Sequence, residues 1–118
     1  MPLILLVGLL LGYPEQPNST PLVQVGTASV YAKRFDGKRT SSGQIHRSNS
    51  LSAAHKSLPP GTRVKVTHLL NGCSVEIVVN DRLPRQSPHI IDLSPKAAAQ
   101  IEIPTKGIGR VRVEEIRP

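Results

Sequence analysis

The stretch "RVKVTHLLNGCSVEIVVN", residues 63–80, constrains this chain more than any other. Val64 and Val66 alternate with Arg63 and Lys65, and Val75, Ile77 and Val79 alternate with Glu76 and Val78. A period of two argues for strands with one buried face. Between the two runs, Asn71-Gly72 is a strong hairpin-turn dipeptide because both residues tolerate positive φ. The second strand then ends abruptly, with Asn80, Asp81 and Arg82 together before a turn at Pro84. A strand that carries a carboxylate, with a cation beside it, to the end of a sheet finishes in a capped turn or in a working site.

Other short elements surround this hairpin. "VQVGTASVYA" reads as a first strand, "HIIDLSPKAAAQI" as a short strand followed by a helix start, and "IGRVRVEEI" as a closing strand. Ser94 is a good helix N-cap and Pro95 suits the first helical position. "LSAAHKSLPPGT" is a short apolar segment ended by two prolines. "KRFDGKRTSSGQIHRSNS" is polar and rich in Gly and Ser, a long loop of the kind that usually carries function or is disordered. About six short strands and one or two small helices in some 95 residues predict a mainly β small barrel. No internal repeat or second domain is evident.

Residues 1–22 are expected to be a signal peptide and tether, and 23–118 the folded domain. The apolar run "MPLILLVGLLLG" is too short for a stable membrane span as a helix, and the Pro-rich "YPEQPNSTP" follows it. In "LLLGY", Tyr13 stands where a bacterial lipoprotein signal would need cysteine, so a lipid anchor of that kind is excluded. The expected location is exported, in the periplasm or cell wall. Cys73 is the one cysteine in the chain, which excludes an intramolecular disulfide and any cysteine-rich zinc site.

All fifteen Lys and Arg lie from Lys33 onward, with seven of the eight acidic residues, so residues 23–118 carry a formal +8. That balance favours a polyanionic partner. The charges are scattered rather than gathered in a basic run, and only Tyr31 and Phe35 remain as aromatics after the leader. Nucleic acid is therefore not the expected partner. His46, His55, His68 and His89 show no metal-ligand spacing, and neither a Gly-rich phosphate loop nor a nucleophile elbow is present. No metal and no cofactor are expected.

Taken singly, the candidate residues have ordinary readings. Asp81 could organise a turn. His55, on a short apolar segment, could be a satisfied core histidine. Asp92, two residues before the helix N-cap, could serve the helix dipole.

The joint pattern carries more. "GTASVYA", "FDGKRTSSG", "LSAAHKSLPPGTRVKVTHLLNG", "VVNDRLP", "IIDLSPKAAA" and "GRVRV" follow one another from Gly26 to Val113. In order and spacing they resemble the rare lipoprotein A (RlpA-like) family, built on the double-psi β-barrel that expansins and family 45 endoglucanases also use. The resemblance implies a six-stranded double-psi β-barrel acting, as a monomer, on peptidoglycan glycan strands stripped of their stem peptides. The implied activity is that of an endolytic lytic transglycosylase: a general acid protonates the glycosidic oxygen, and the C6 hydroxyl of the sugar closes a 1,6-anhydro ring. By position, Asp81 matches the leading candidate for the acid/base, His55 a second catalytic candidate, and Asp92 the aspartate that expansins and endoglucanases rely on. Gln44, Tyr31, Thr40, Asn80 and Arg82 match the substrate-binding positions. An acid must be protonated at rest, so the pKa of Asp81 is expected to be raised and Arg82 to face outward or toward a substrate carboxylate.

Three positions depart from the family pattern. Gln44 stands where glutamate is usual, and an amide holds a sugar but moves no catalytic proton. Leu83 replaces the glycine of "NDRGP", and would be strained if that turn needs positive φ. Val30 replaces an aromatic in the first strand motif, removing a sugar-stacking surface. No glycan-binding repeat domain follows the barrel, so targeting is expected to come from the barrel itself. These departures keep open an alternative: an expansin-like wall-binding module with weakened catalysis.

Overall fold

The computed structural model describes residues 20–118, so nearly all of the expected signal peptide and tether lies outside the described residues. Six strands account for most of the rest: β1 (Val23–Val30), β2 (Ser52–His55), β3 (Arg63–His68), β4 (Ser74–Arg82), β5 (Ile91–Leu93) and β6 (Gly109–Ile116). One helix, α1 (Pro95–Gln100), and a 3-10 turn at Lys33–Phe35 complete the elements. Among the described residues no helix is long and apolar enough to cross a membrane.

The strands close into a barrel in the order β1-β5-β2-β4-β3-β6. Alternation works as the sequence suggests. Val64 and Val66 of β3, Val75, Ile77 and Val79 of β4, and Val111 and Val113 of β6 all point into the core. Ala28, Ala53, Ile91 and Leu93 fill the remaining strands' share, and Ala97, Ala98, Ile101 and Ile103 plug the barrel from α1 and the segment after it. Such a barrel has room only for aliphatic side chains, which is why a chain with 3% aromatics can build it.

The β3–β4 hairpin forms, with Thr67 opposite Ser74, but its turn is wider than a two-residue one. The His68 N–H donates to Cys73 O and the Gly72 N–H to His68 O, both at 2.8 Å, enclosing Leu69 to Gly72. Gly72 takes φ +77°, and Asn71 uses its side-chain oxygen to accept the Cys73 N–H at 2.8 Å. The helix begins as predicted: Ser94 Oγ accepts the Ala97 N–H at 3.3 Å and Pro95 opens the first turn. It ends with Glu102 at φ +63°, the one non-glycine in that region among the described residues.

Two strand pairs are parallel, β1 with β5 and β2 with β4. The second pair contains an irregularity. Ala53 pairs with Val79 but Ala54 pairs with Asp81, so Asn80 is an extra residue with no partner in β2. Bulges of this kind re-aim side chains at barrel rims. By plain alternation Asp81 would follow Val75, Ile77 and Val79 into the core. A slip of one residue moves a side chain to the other face, and the bulge puts Asp81 on the outer one.

Candidate active site

The bulge creates a single rung across four adjacent strands. Ser29 of β1 pairs with Asp92 of β5, Asp92 with Ala54 of β2, and Ala54 with Asp81 of β4. Paired residues share a face, and strands lie about 4.8 Å apart, so the two aspartates stand about 10 Å apart at Cα with an alanine methyl between them. Ala54 belongs to a small outer cluster with Tyr31 and Leu83, separate from the barrel core.

Asp81 is held by three donors. Tyr31 gives its hydroxyl hydrogen to Oδ2. Oδ1 accepts the Ser41 N–H at 2.9 Å and the Arg82 N–H at 2.8 Å. Partial burial pushes its pKa up, but these hydrogen bonds to the ionised form outweigh it and hold the carboxyl below its ordinary value of 3.8. Asp92 goes the other way. Burial raises its pKa, the negative charge of Asp81 adds to the rise, and the Ser29 hydroxyl at 3.1 Å together with His89 offsets only part of it. The expected raised pKa of Asp81 is therefore corrected: its surroundings favour the ionised form, whereas those of Asp92 favour the protonated form more than an ordinary aspartate's do.

Tyr31 does not present a ring face to a substrate groove. It is buried, its hydroxyl is committed to Asp81, and His46 stacks on it with ring centroids 4.1 Å apart and planes 14° off parallel. Burial, the Asp81 hydrogen bond and the charges of Asp81 and Asp92 hold its phenol far above the usual range, so it is always a donor. Thr40 also faces its own loop: its hydroxyl donates to Gln44 O at 2.9 Å, closing the turn that aims the Ser41 N–H at Asp81. Gly43, at φ +93°, makes that turn possible.

His55 is buried with both ring nitrogens in use. Nδ1 accepts the N–H groups of Ser57 at 3.0 Å and Leu58 at 3.1 Å, so the hydrogen sits on Nε2 and is donated to Gln24 Oε1 at 2.8 Å. Burial, with the charges of Arg82 and Lys56, lowers its pKa and keeps it neutral. Its carbonyl accepts the Leu83 N–H at 3.1 Å and Arg82 Nη1 at 2.9 Å. This makes His55 a brace for the end of β4 rather than a free acid or base. Arg82 Nη1 is turned onto the protein rather than onto Asp81, also donating to Leu58 O at 2.9 Å.

Of the departures, Leu83 is resolved plainly. It does not have positive φ and is not strained; it is buried under Tyr31 and Ala54. Gln44 is exposed and lines an open cleft of about 370 Å³ together with Arg47, Ser50, Val78 and Asn80. Asn80 is buried there, and its side-chain oxygen has no hydrogen-bond partner. Val30 lies partly buried against the core.

Three contributors escaped the sequence reading. Ser29 was one more polar residue in an alternating strand, and Ser41 acts through its backbone, which no side-chain pattern reports. His46 sits in the long loop with no spacing signal, yet it is buried and neither ring nitrogen has a partner. Among the described residues no group of three His, Cys, Asp or Glu side chains could hold a metal ion.

A closed six-stranded barrel with two parallel pairs, carrying two carboxyls on one rung, defines a double-psi β-barrel. The family model described as "Lytic transglycolase" matches residues 23–113, and the chain belongs to that family. It is similar to the "Endolytic peptidoglycan transglycosylase RlpA" of Pasteurella multocida, 48% identical over 92 residues, covering 78% of this chain and 31% of the relative. The protein of the same name from Neisseria meningitidis serogroup A is 40% identical over 106 residues, covering 90% and 44%. The chain thus spans less than half the length of these relatives. Among solved structures, a Clavibacter michiganensis expansin superposes with TM-score 0.64 at 19% identity, covering 81% of this chain and 51% of that one. The Streptomyces papain inhibitor superposes with TM-score 0.62 at 20% identity, covering 81% and 96%. At such identities these two show the fold alone.

Proposed function

We propose that this chain is an exported endolytic lytic transglycosylase that cleaves peptide-free peptidoglycan strands and leaves 1,6-anhydro-muramic ends. The observation that carries this reading is the Asp92–Ala54–Asp81 rung, whose two carboxyls are biased in opposite directions. Separated biases of this kind assign acid and base roles. Asp92 delivers its proton to the glycosidic oxygen as the bond to C1 breaks. Asp81, ionised and fixed by Tyr31 and Ser41, faces the positive charge that develops at C1. It then takes the proton from the C6 hydroxyl as O6 bonds to C1, closing the anhydro ring without water. The cycle ends with Asp81 protonated and Asp92 ionised, and proton exchange with solvent restores the start. His55 positions the strand end, and Gln44 and Arg47 line the cleft on the Asn80 side. The names of the relatives and the net positive charge support an acidic glycan as substrate, with residues 1–22 as the export signal and tether.

Gln44 favours a second reading, a wall-binding module that keeps the groove and does not turn over. Mass spectrometry of peptide-free glycan strands incubated with the protein separates the two. New anhydro-muramic ends, absent with Asp81→Asn, are expected. Binding by both proteins with no new ends would sink the enzyme reading in favour of the module.

A further inference from the structure

Ser29 faces two ways along its strand. Its hydroxyl holds Asp92, and the residue also lines an open cleft of about 320 Å³, near the lower end of the small-ligand range. Val30, Ala32, Lys33, His89, Lys106 and Ile108 make the walls. Lys33 and Lys106 are exposed, and among the described residues no carboxylate lines the cleft to neutralise them. His89 is fixed by Thr27, whose hydroxyl lies 2.8 Å from Nδ1, and its charge acts on Asp92. Ile108, 61% exposed, provides apolar surface.

Two lysines lining a cleft with an apolar wall, one strand from the Asp92 carboxyl, suit an anion that carries small apolar substituents. The cleft beyond Asn80 is different in character, lined by the amides of Gln44 and Asn80 with Arg47 as its one cation. We infer that the Lys33–Lys106 cleft is a subsite for the carboxylate-bearing aminosugar of the strand. Its carboxylate lies between the two lysines and its methyl groups lie against Val30 and Ile108. This inference rests on the proposed glycan substrate and adds the element that reads alternate sugars, setting the register of the strand over the rung.

The test compares binding of two oligomers of equal length by titration calorimetry: peptide-free peptidoglycan glycan, and neutral chito-oligosaccharide without carboxylates. Wild-type protein is expected to prefer the acidic oligomer, more so at low salt. In the Lys33→Ala/Lys106→Ala variant that preference should collapse about five- to tenfold, as befits two exposed ion pairs. Both lysines are on the surface, so the variant is expected to fold, which its thermal melt checks. A variant that keeps the wild-type preference, while the wild type still makes anhydro ends, overturns the subsite alone. A wild type that neither binds nor cuts the acidic oligomer overturns the proposed function and the subsite together.

Discussion

His55 and His46 are both buried to about 2% exposure or less, and they are satisfied in opposite ways. His55 has all its hydrogen-bonding capacity filled by Gln24, Ser57 and Leu58, whereas His46 offers two unpartnered nitrogens and a stacked Tyr31. Burial lowers both pKa values below the usual 6.5. The unfolded chain therefore binds protons more readily, and the stability due to these neutral rings is full above pH 6.5 and is lost as pH falls. Asp92 opposes the trend only where its own raised pKa lets it titrate, above 3.8. The urea midpoint should fall between pH 7 and pH 5. His46→Phe keeps the stack and removes the two bare nitrogens, so it should raise stability by about 1 kcal/mol at pH 7 and flatten part of that slope. A steeper slope in His46→Phe would contradict the account.

At the scale of elements, the rung explains why β4 carries a carboxylate to its end. The hairpin and the alternation of β4 were legible in the sequence because period two survives whatever surrounds a strand. The bulge at Asn80 was not, since "VVNDR" has the composition of any strand running into a turn. Ala54 was equally silent, although it stands between Asp81 and Asp92 on adjacent strands. Its small size should matter. Ala54→Val places two extra methyl groups against Tyr31 and Leu83, and overpacking of this kind costs about 1–3 kcal/mol. Denaturant unfolding should show that loss, and anhydro-end formation should fall more than the change in folded fraction accounts for. Wild-type rates per folded molecule would show that spacing on the rung is not critical.

Over the whole molecule, the ordered motifs from Gly26 to Val113 pointed to the double-psi barrel, and its closure and two parallel pairs bear that out. Composition alone reached a small aliphatic barrel and stopped there, because pairing partners are set by contacts distant in sequence. The position of the candidate carboxyls was legible for the same reason as the fold. Their proton preferences were not: those depend on the Ser41 amide, the Ser29 hydroxyl and the depth of Asp92, none of which leaves a mark in residue spacing. The raised pKa expected of Asp81 followed its sequence position, and the hydrogen bonds around it favour the ionised form instead.

One rung thus carries two carboxyls whose proton affinities are shifted in opposite directions, Asp81 down and Asp92 up. This opposition is checked by following the side-chain carboxyl carbons through a pH titration by NMR, with Asp81→Asn and Asp92→Asn assigning the two signals. Asp81 is expected to titrate below 3.8 and Asp92 above it. Asp81 titrating above Asp92 would contradict it and return the resting proton to Asp81.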